Sequence, residues 1–249
     1  MPQRQDIDRS LQMLLQPHNF KDYGPNGLQI EGRAEVKRVV SGVTASLAFI
    51  EQALAQGADA LLVHHGLFWR GQDGRLTGWL AARVRLLMAA QVNLWAYHLP
   101  LDAHVDLGNN AQLGLRLGLR ADARFGEQDL GFIAPAGAGL TLMGLTATVQ
   151  QALQRAPTLV PGDGRVLRRV AWCTGGAQSY FEAAIAADAD VFITGEISEP
   201  QTHLARETGV AYVAAGHHAS ERFGAPAVGA WLAAQWGLEH QFIDVDNPA

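Results

Sequence analysis

The chain has one cysteine, Cys173, in 249 residues, so no disulfide can form within it and no thiolate cluster can hold a metal ion. Aromatic residues make up 8% of the chain, and its six tryptophans are scattered, which suits core packing or subunit contacts better than a base-stacking platform. Basic residues are outnumbered: 19 Lys and Arg against 24 Asp and Glu give a formal charge of −5. That balance leaves no cationic stripe for a phosphate backbone and argues against duplex nucleic acid, while single nucleotides stay open. No window approaches the roughly 20 uncharged apolar residues that cross a bilayer, and the start, Met1-Pro2-Gln3-Arg4-Gln5-Asp6, has no leader-like apolar stretch. A cytoplasmic protein without membrane contact is expected. Pro161-Gly162-Asp163-Gly164-Arg165 reads as a turn and lacks the spacing of a phosphate loop.

What is present is apolar residues, 48% of the chain, in an alternating order. Ile7, Leu11, Leu14 and Leu15 mark an amphipathic first helix that stops before Pro17. Strands are expected over 36–44, 60–63 and 92–97, with helices over 47–56, 78–90 and 110–117. The second half repeats the scheme, with strands over 166–172, 190–193 and 210–214 and helices over 180–187, 201–207 and 219–235. Such alternation implies an α/β fold built as two related lobes, each a mostly parallel sheet flanked by helices. The lobes are expected at 1–125 and 126–249. A Gly, Ala and Pro-rich connection at about 121–164 carries a short strand near 131–134 and a helix near 149–155.

The chemistry-bearing residues sit where these strands end. One apolar run ends in His64-His65, a second in His98 with Asp102 four residues on, and a third in His217 with Glu221 four on; matched as repeats, His64-His65 corresponds to Gly195-Glu196 and His98 with Asp102 to His217 with Glu221. Imidazoles and carboxylates at strand ends suit a hydrolytic divalent-metal site, and facing strand ends put it in a cleft between the lobes. Alone, His64-His65 is weak: neighbours on a strand face opposite ways, so two ligands require a break, which Gly66 permits. Asp102 can bridge two ions through its two oxygens, although a helix cap or a solubilising loop residue is the plain alternative. His217 and Glu221 share a helix face and can reach one ion; otherwise they form a surface pair.

His98 is either a ligand or, as slightly favoured, a group that orients Asp102 or a water. Glu196, after the strand at 190–193, is a candidate general base, with a helix N-cap as the alternative. His104 is a candidate pocket residue, His218 points elsewhere, and His18, His203 and His240 belong to the surface or the packing. Tyr23, Asn26 and Gln29 sit in a turn-rich segment from which they could reach a substrate, with plain β-turn chemistry as the alternative explanation of that segment. Nitrogen and oxygen donors suit Zn, Mn, Fe, Co or Ni. Two such ions would lower the pKa of a bridging water toward about 7, which implies hydrolysis.

Five motifs then carry a resemblance over nearly the whole chain. Asp22-Tyr23-Gly24-Pro25-Asn26-Gly27-Leu28-Gln29, Leu62-Val63-His64-His65-Gly66, His98-Leu99-Pro100-Leu101-Asp102 with Asn109-Asn110, Thr194-Gly195-Glu196, and Gly216-His217-His218-Ala219-Ser220-Glu221-Arg222 together resemble the Nif-three-like family, also called GTP cyclohydrolase 1 type 2, in its compact bacterial form. The resemblance implies a toroidal homohexamer and a centre of two divalent ions. By motif the ligands are His64, His65, Asp102, His217 and Glu221, with Asp102 and Glu221 bridging. It also implies a small-molecule substrate, a nucleotide or related heterocycle, opened by water with release of formate. A phosphoesterase or amidohydrolase, or a non-enzymatic metal-binding scaffold with a protein partner, are the alternatives.

Overall fold

A computed structural model describes residues 1–249, which pack as two compact units. The first contains residues 1–108 and 224–246, the second residues 109–223 and 247–249. These limits differ from the expected 1–125 and 126–249, because the helix Gly224–Trp236 and the strand after it pack with the first unit. The segment 121–164 belongs wholly to the second unit and is more than a connection.

Eleven strands build two sheets: β1 (Gly27–Ile30), β2 (Arg38–Thr44), β3 (Ala60–His65), β4 (Asn93–Ala96), β5 (Ala123–Phe125), β6 (Gly131–Pro135), β7 (Thr158–Val160), β8 (Arg169–Trp172), β9 (Val191–Thr194), β10 (Ala211–Ala214) and β11 (Glu239–Phe242). The first sheet has the order β1-β4-β3-β2-β11 and is parallel except for the β1 edge. The second, β5-β6-β8-β9-β10-β7, is parallel only at β8-β9-β10; its other three pairings are antiparallel. The mostly parallel arrangement expected of both lobes therefore describes the first unit and the heart of the second.

Helices cover both faces of each parallel core, which explains why its strands are continuous apolar runs. In the first unit Leu61 and Val63 face Phe49, Ile50 and Leu87, while Ala60 and Leu62 face Ile7, Leu11, Val228 and Leu232. In the second, Val191 and Ile193 pack with Leu145, Val149 and Leu153. On the opposite face Phe181, Phe192 and Tyr212 form an aromatic cluster with ring centroids 4.9–6.0 Å apart.

The internal repeat extends to hydrogen bonds. Asp59 Oδ2 accepts from the backbone N–H of Lys37 and Arg38, at 2.9 and 3.0 Å; Asp190 Oδ2 accepts from Arg168 and Arg169, at 2.7 and 2.9 Å. In each unit an aspartate at the mouth of the middle strand ties down the start of its neighbour, and such charge-assisted bonds contribute about 1.5–3 kcal/mol each.

Register then corrects one correspondence. Val63 pairs with Ala96, two residues before His98, and Thr194 pairs with Ala214, two residues before Gly216. His64 and His65 thus correspond to Gly195 and Glu196, but His98 corresponds to Gly216, and His217 stands one residue further along. Helix starts agree: His98 precedes the helix Leu99–Ala103, and Gly216 precedes the helix His217–Ser220. The single helix expected over 219–235 is two, His217–Ser220 and Gly224–Trp236.

Candidate functional site

In the first unit β3 continues through His65, and the chain leaves the sheet after that residue. His64 is fully buried, and its Nδ1 lies 3.0 Å from the Tyr97 carbonyl. A carbonyl can only accept, so Nδ1 carries the proton and the Nε2 lone pair remains for a ligand. Nε2 is 3.6 Å from Asp102 Oδ1, and Asp102 is itself buried in the helix Leu99–Ala103. His65 Nδ1 pairs with Thr44 Oγ1 at 3.0 Å.

His98 is fixed in the same manner as His64, by a stronger acceptor. Asp22 Oδ1 accepts from its Nδ1 at 2.7 Å. Asp22 also accepts from the N–H groups of Leu99 and Tyr23 and from the Asn26 amide. Burial pushes the Asp22 carboxyl upward, but His98 and these donors outweigh it and hold the group below the usual carboxylate range. With both Nδ1 atoms directed outward, ligand nitrogens of His64, His65 and His98 lie within 4.8 Å of one another. His64 and His98 line one pocket with Pro25, Asn26, Gln29 and Trp69.

The second unit holds the other group. His217 Nδ1 is 2.6 Å from Glu196 Oε1, and its Nε2 is 3.2 Å from Glu221 Oε2. Burial disfavours the charged ring, yet Glu221 and then Glu196 outweigh it and raise the His217 pKa to about 9. A cation bound at Nε2 would therefore have to displace a proton. Glu221 is buried, and room for it exists because residue 175 is glycine: a Cβ there would overlap the carboxylate, and the backbone has φ +72°.

Glu196 is not a helix cap. Ser198 opens the next helix in a capping box with Gln201, and the Glu196 carboxylate instead joins His217 and accepts from Gln178 Nε2 at 3.0 Å. His104 Nδ1 accepts from the N–H groups of Asp106 and Leu107. His203 pairs with Glu199 on the surface, and His240 meets Ser41 at 2.8 Å. Asp22 and Gly175 carry no local sequence signal for the site. Asp22 lies 76 residues before its partner, and only the juxtaposition of β1 and β4 brings that segment near His98. Cys173 is buried, with Sγ toward the Leu130 carbonyl, and adds no donor.

Fold and side chains define a two-sheet α/β protein with buried His, Asp and Glu groups able to hold metal. The chain belongs to the Duf34/NIF3 (NGG1p interacting factor 3) family, whose model matches residues 2–248. It is 50% identical over 235 residues to a Neisseria meningitidis serogroup B protein called GTP cyclohydrolase 1 type 2 homolog, covering 94% of each chain. A Vibrio cholerae protein of the same description is 47% identical, covering 97% of this chain and 98% of its own. The solved structure of protein ybgI superposes with a TM-score of 0.94 at 41% identity, covering 99% of this chain and all of the other.

Proposed function

We propose that this chain is a dinuclear-metal-dependent hydrolase of the GTP cyclohydrolase 1 type 2 kind, acting on a nucleotide or related heterocycle. In this reading His64, His65, Asp102, His217 and Glu221 would hold two divalent ions, with Asp102 and Glu221 as the candidate bridges. The observation that carries it is the tautomer of His64: a buried imidazole whose Nδ1–H is given to a main-chain carbonyl offers Nε2 as a donor, which is how metal-binding histidines are set. The donors are all nitrogen and oxygen, a set that fits Zn, Mn, Fe, Co or Ni.

Such ions, when bound, lower the pKa of water toward about 7 and polarise the bond to be broken. The protein does the rest. Asp22 orients His98, which either joins the ligands or positions the water and Asp102. Glu196 orients His217 and is placed to take up a proton during turnover. A homohexameric ring in the cytoplasm is part of the same proposal. The names of the relatives and the donor set support the hydrolase reading.

Elemental analysis paired with formate release from GTP tests the reading, using as-isolated, stripped and reloaded protein. About two ions per chain with metal-dependent formate is the expected result. Two ions without formate would remove the cyclohydrolase reaction and keep the metal site; no metal uptake would overturn the site itself. Glu196→Gln should keep the metal and lose turnover.

A further inference from the structure

Within the first unit the loops at residues 22–29 and 66–72 are fastened to each other. Arg70 N–H donates to the Tyr23 carbonyl and its guanidinium to the Asp22 carbonyl, each at 2.6 Å. Leu67 N–H donates to Gln29 Oε1 at 2.8 Å. A Cβ at Gly24 would overlap the Phe68 carbonyl, so the two backbones touch there.

The fastening brings two aromatic rings to one imidazole. Trp69 stands edge-on to His98, at 5.0 Å between centroids and 89°, and lies 5.9 Å from His65. Tyr23 stands 6.0 Å from His98 at 68°. Neither ring is packed away: Tyr23 is 62% exposed and Trp69 half-buried. With Pro25, Phe68 and Arg70 they line one open cleft.

The amides that could read the edge of a base are already engaged. Asn26 Oδ1 accepts from the His98 N–H, and its Nδ2 donates to Asp22. Gln29 Oε1 accepts from Leu67, and its Nε2 donates to the Pro25 carbonyl. What the cleft presents to a ligand is therefore its aromatic side chains, with the exposed Arg70 cation beside them.

We propose that Tyr23 and Trp69 form a stacking slot for a planar heteroaromatic ring bearing an anionic substituent. The slot holds the ring by its faces beside His98, seats the anion near Arg70, and discriminates little between one purine and another. It rests on the reading that the neighbouring histidines serve hydrolysis of a heterocycle, and it specifies how that substrate is gripped. Stacking on aromatic side chains tolerates any base because every base has a π face.

Equilibrium dialysis of the full chain, with and without metal, against GMP, AMP and ribose 5-phosphate tests it. GMP and AMP should bind within about fivefold of each other and ribose 5-phosphate at least about tenfold more weakly. Trp69→Ala and Tyr23→Ala should each weaken nucleotide binding about tenfold, Trp69→Phe much less, and Trp79→Ala, at an exposed tryptophan elsewhere, not at all. Metal content should be unchanged in every variant. Undiminished binding in Trp69→Ala and Tyr23→Ala, a preference above about 100-fold for one purine, or no nucleotide binding by fully metallated protein would each overturn the slot. Ring binding by protein that takes up no metal would instead keep the slot and remove the hydrolase reading.

Discussion

The Asp22 carboxylate fixes the tautomer of His98 from 76 residues away, through a 2.7 Å hydrogen bond to Nδ1. The same carboxylate takes the Leu99 N–H, so one group sets both the imidazole and the start of the helix that carries Asp102. Asp22→Ala should lower metal affinity about 10- to 100-fold, because the helix that carries the proposed ligand Asp102 loses its anchor together with His98. Titration of stripped protein with Zn or Mn checks this, and an unchanged affinity would mean that His98 is held by packing alone.

Asp102→Ala and Glu221→Ala should each remove about half or more of the bound metal, since a bridging carboxylate serves both ions. His203→Ala removes only a surface partner of Glu199 and should leave the content unchanged. Elemental analysis of the three proteins decides, and full retention in the carboxylate variants would end the bridging assignment.

Gly175→Ala places a methyl group where the Glu221 carboxylate lies, at a backbone angle that glycine adopts freely. It should cost about 1–3 kcal/mol of stability and weaken metal uptake. Denaturant unfolding read alongside metal content separates the two effects: a protein of normal stability and normal metal content would show that the cradle is looser than its geometry.

His240 lies beside Ser41 and Gly229 on the first unit, and burial depresses its pKa. Because the folded value lies below the unfolded one of about 6.5, the folded state favours the neutral ring. Its contribution to stability is complete above the unfolded value and is lost as pH falls through the folded one. Melting temperatures at about pH 8 and pH 5.5 should therefore diverge more in the natural protein than in His240→Asn. Equal divergence would assign the acid sensitivity to other groups.

Much of the candidate site is legible in the sequence because its donors end buried strands. An apolar run closing on His64-His65 or His98 is a local pattern, and so is the i, i+4 pair His217 and Glu221. Their partners were not legible for the opposite reason. Asp22 acts across a sheet edge, Glu196 meets His217 from 21 residues away, and Gly175 contributes only the absence of a side chain. Matching the two halves by their histidines also misled by one residue, since the ladders align His98 with Gly216. In the fold, the central alternation stood out, whereas the three-residue strands β5 and β7 are too short to separate from loops, and β11, Glu239-His240-Gln241-Phe242, is too polar to read as a strand.

The first unit is interrupted in sequence: its β11 strand, paired in parallel with β2, comes from residues 239–242, after nearly all of the second unit. During synthesis the amino-terminal segment of that unit leaves the ribosome with the β2 edge bare, while the unit encoded between has its six strands in hand by Ala214. The part of the protein made first is thus completed last. Until then the rim of β2 is an open sheet edge, the kind of surface that pairs with a stranger.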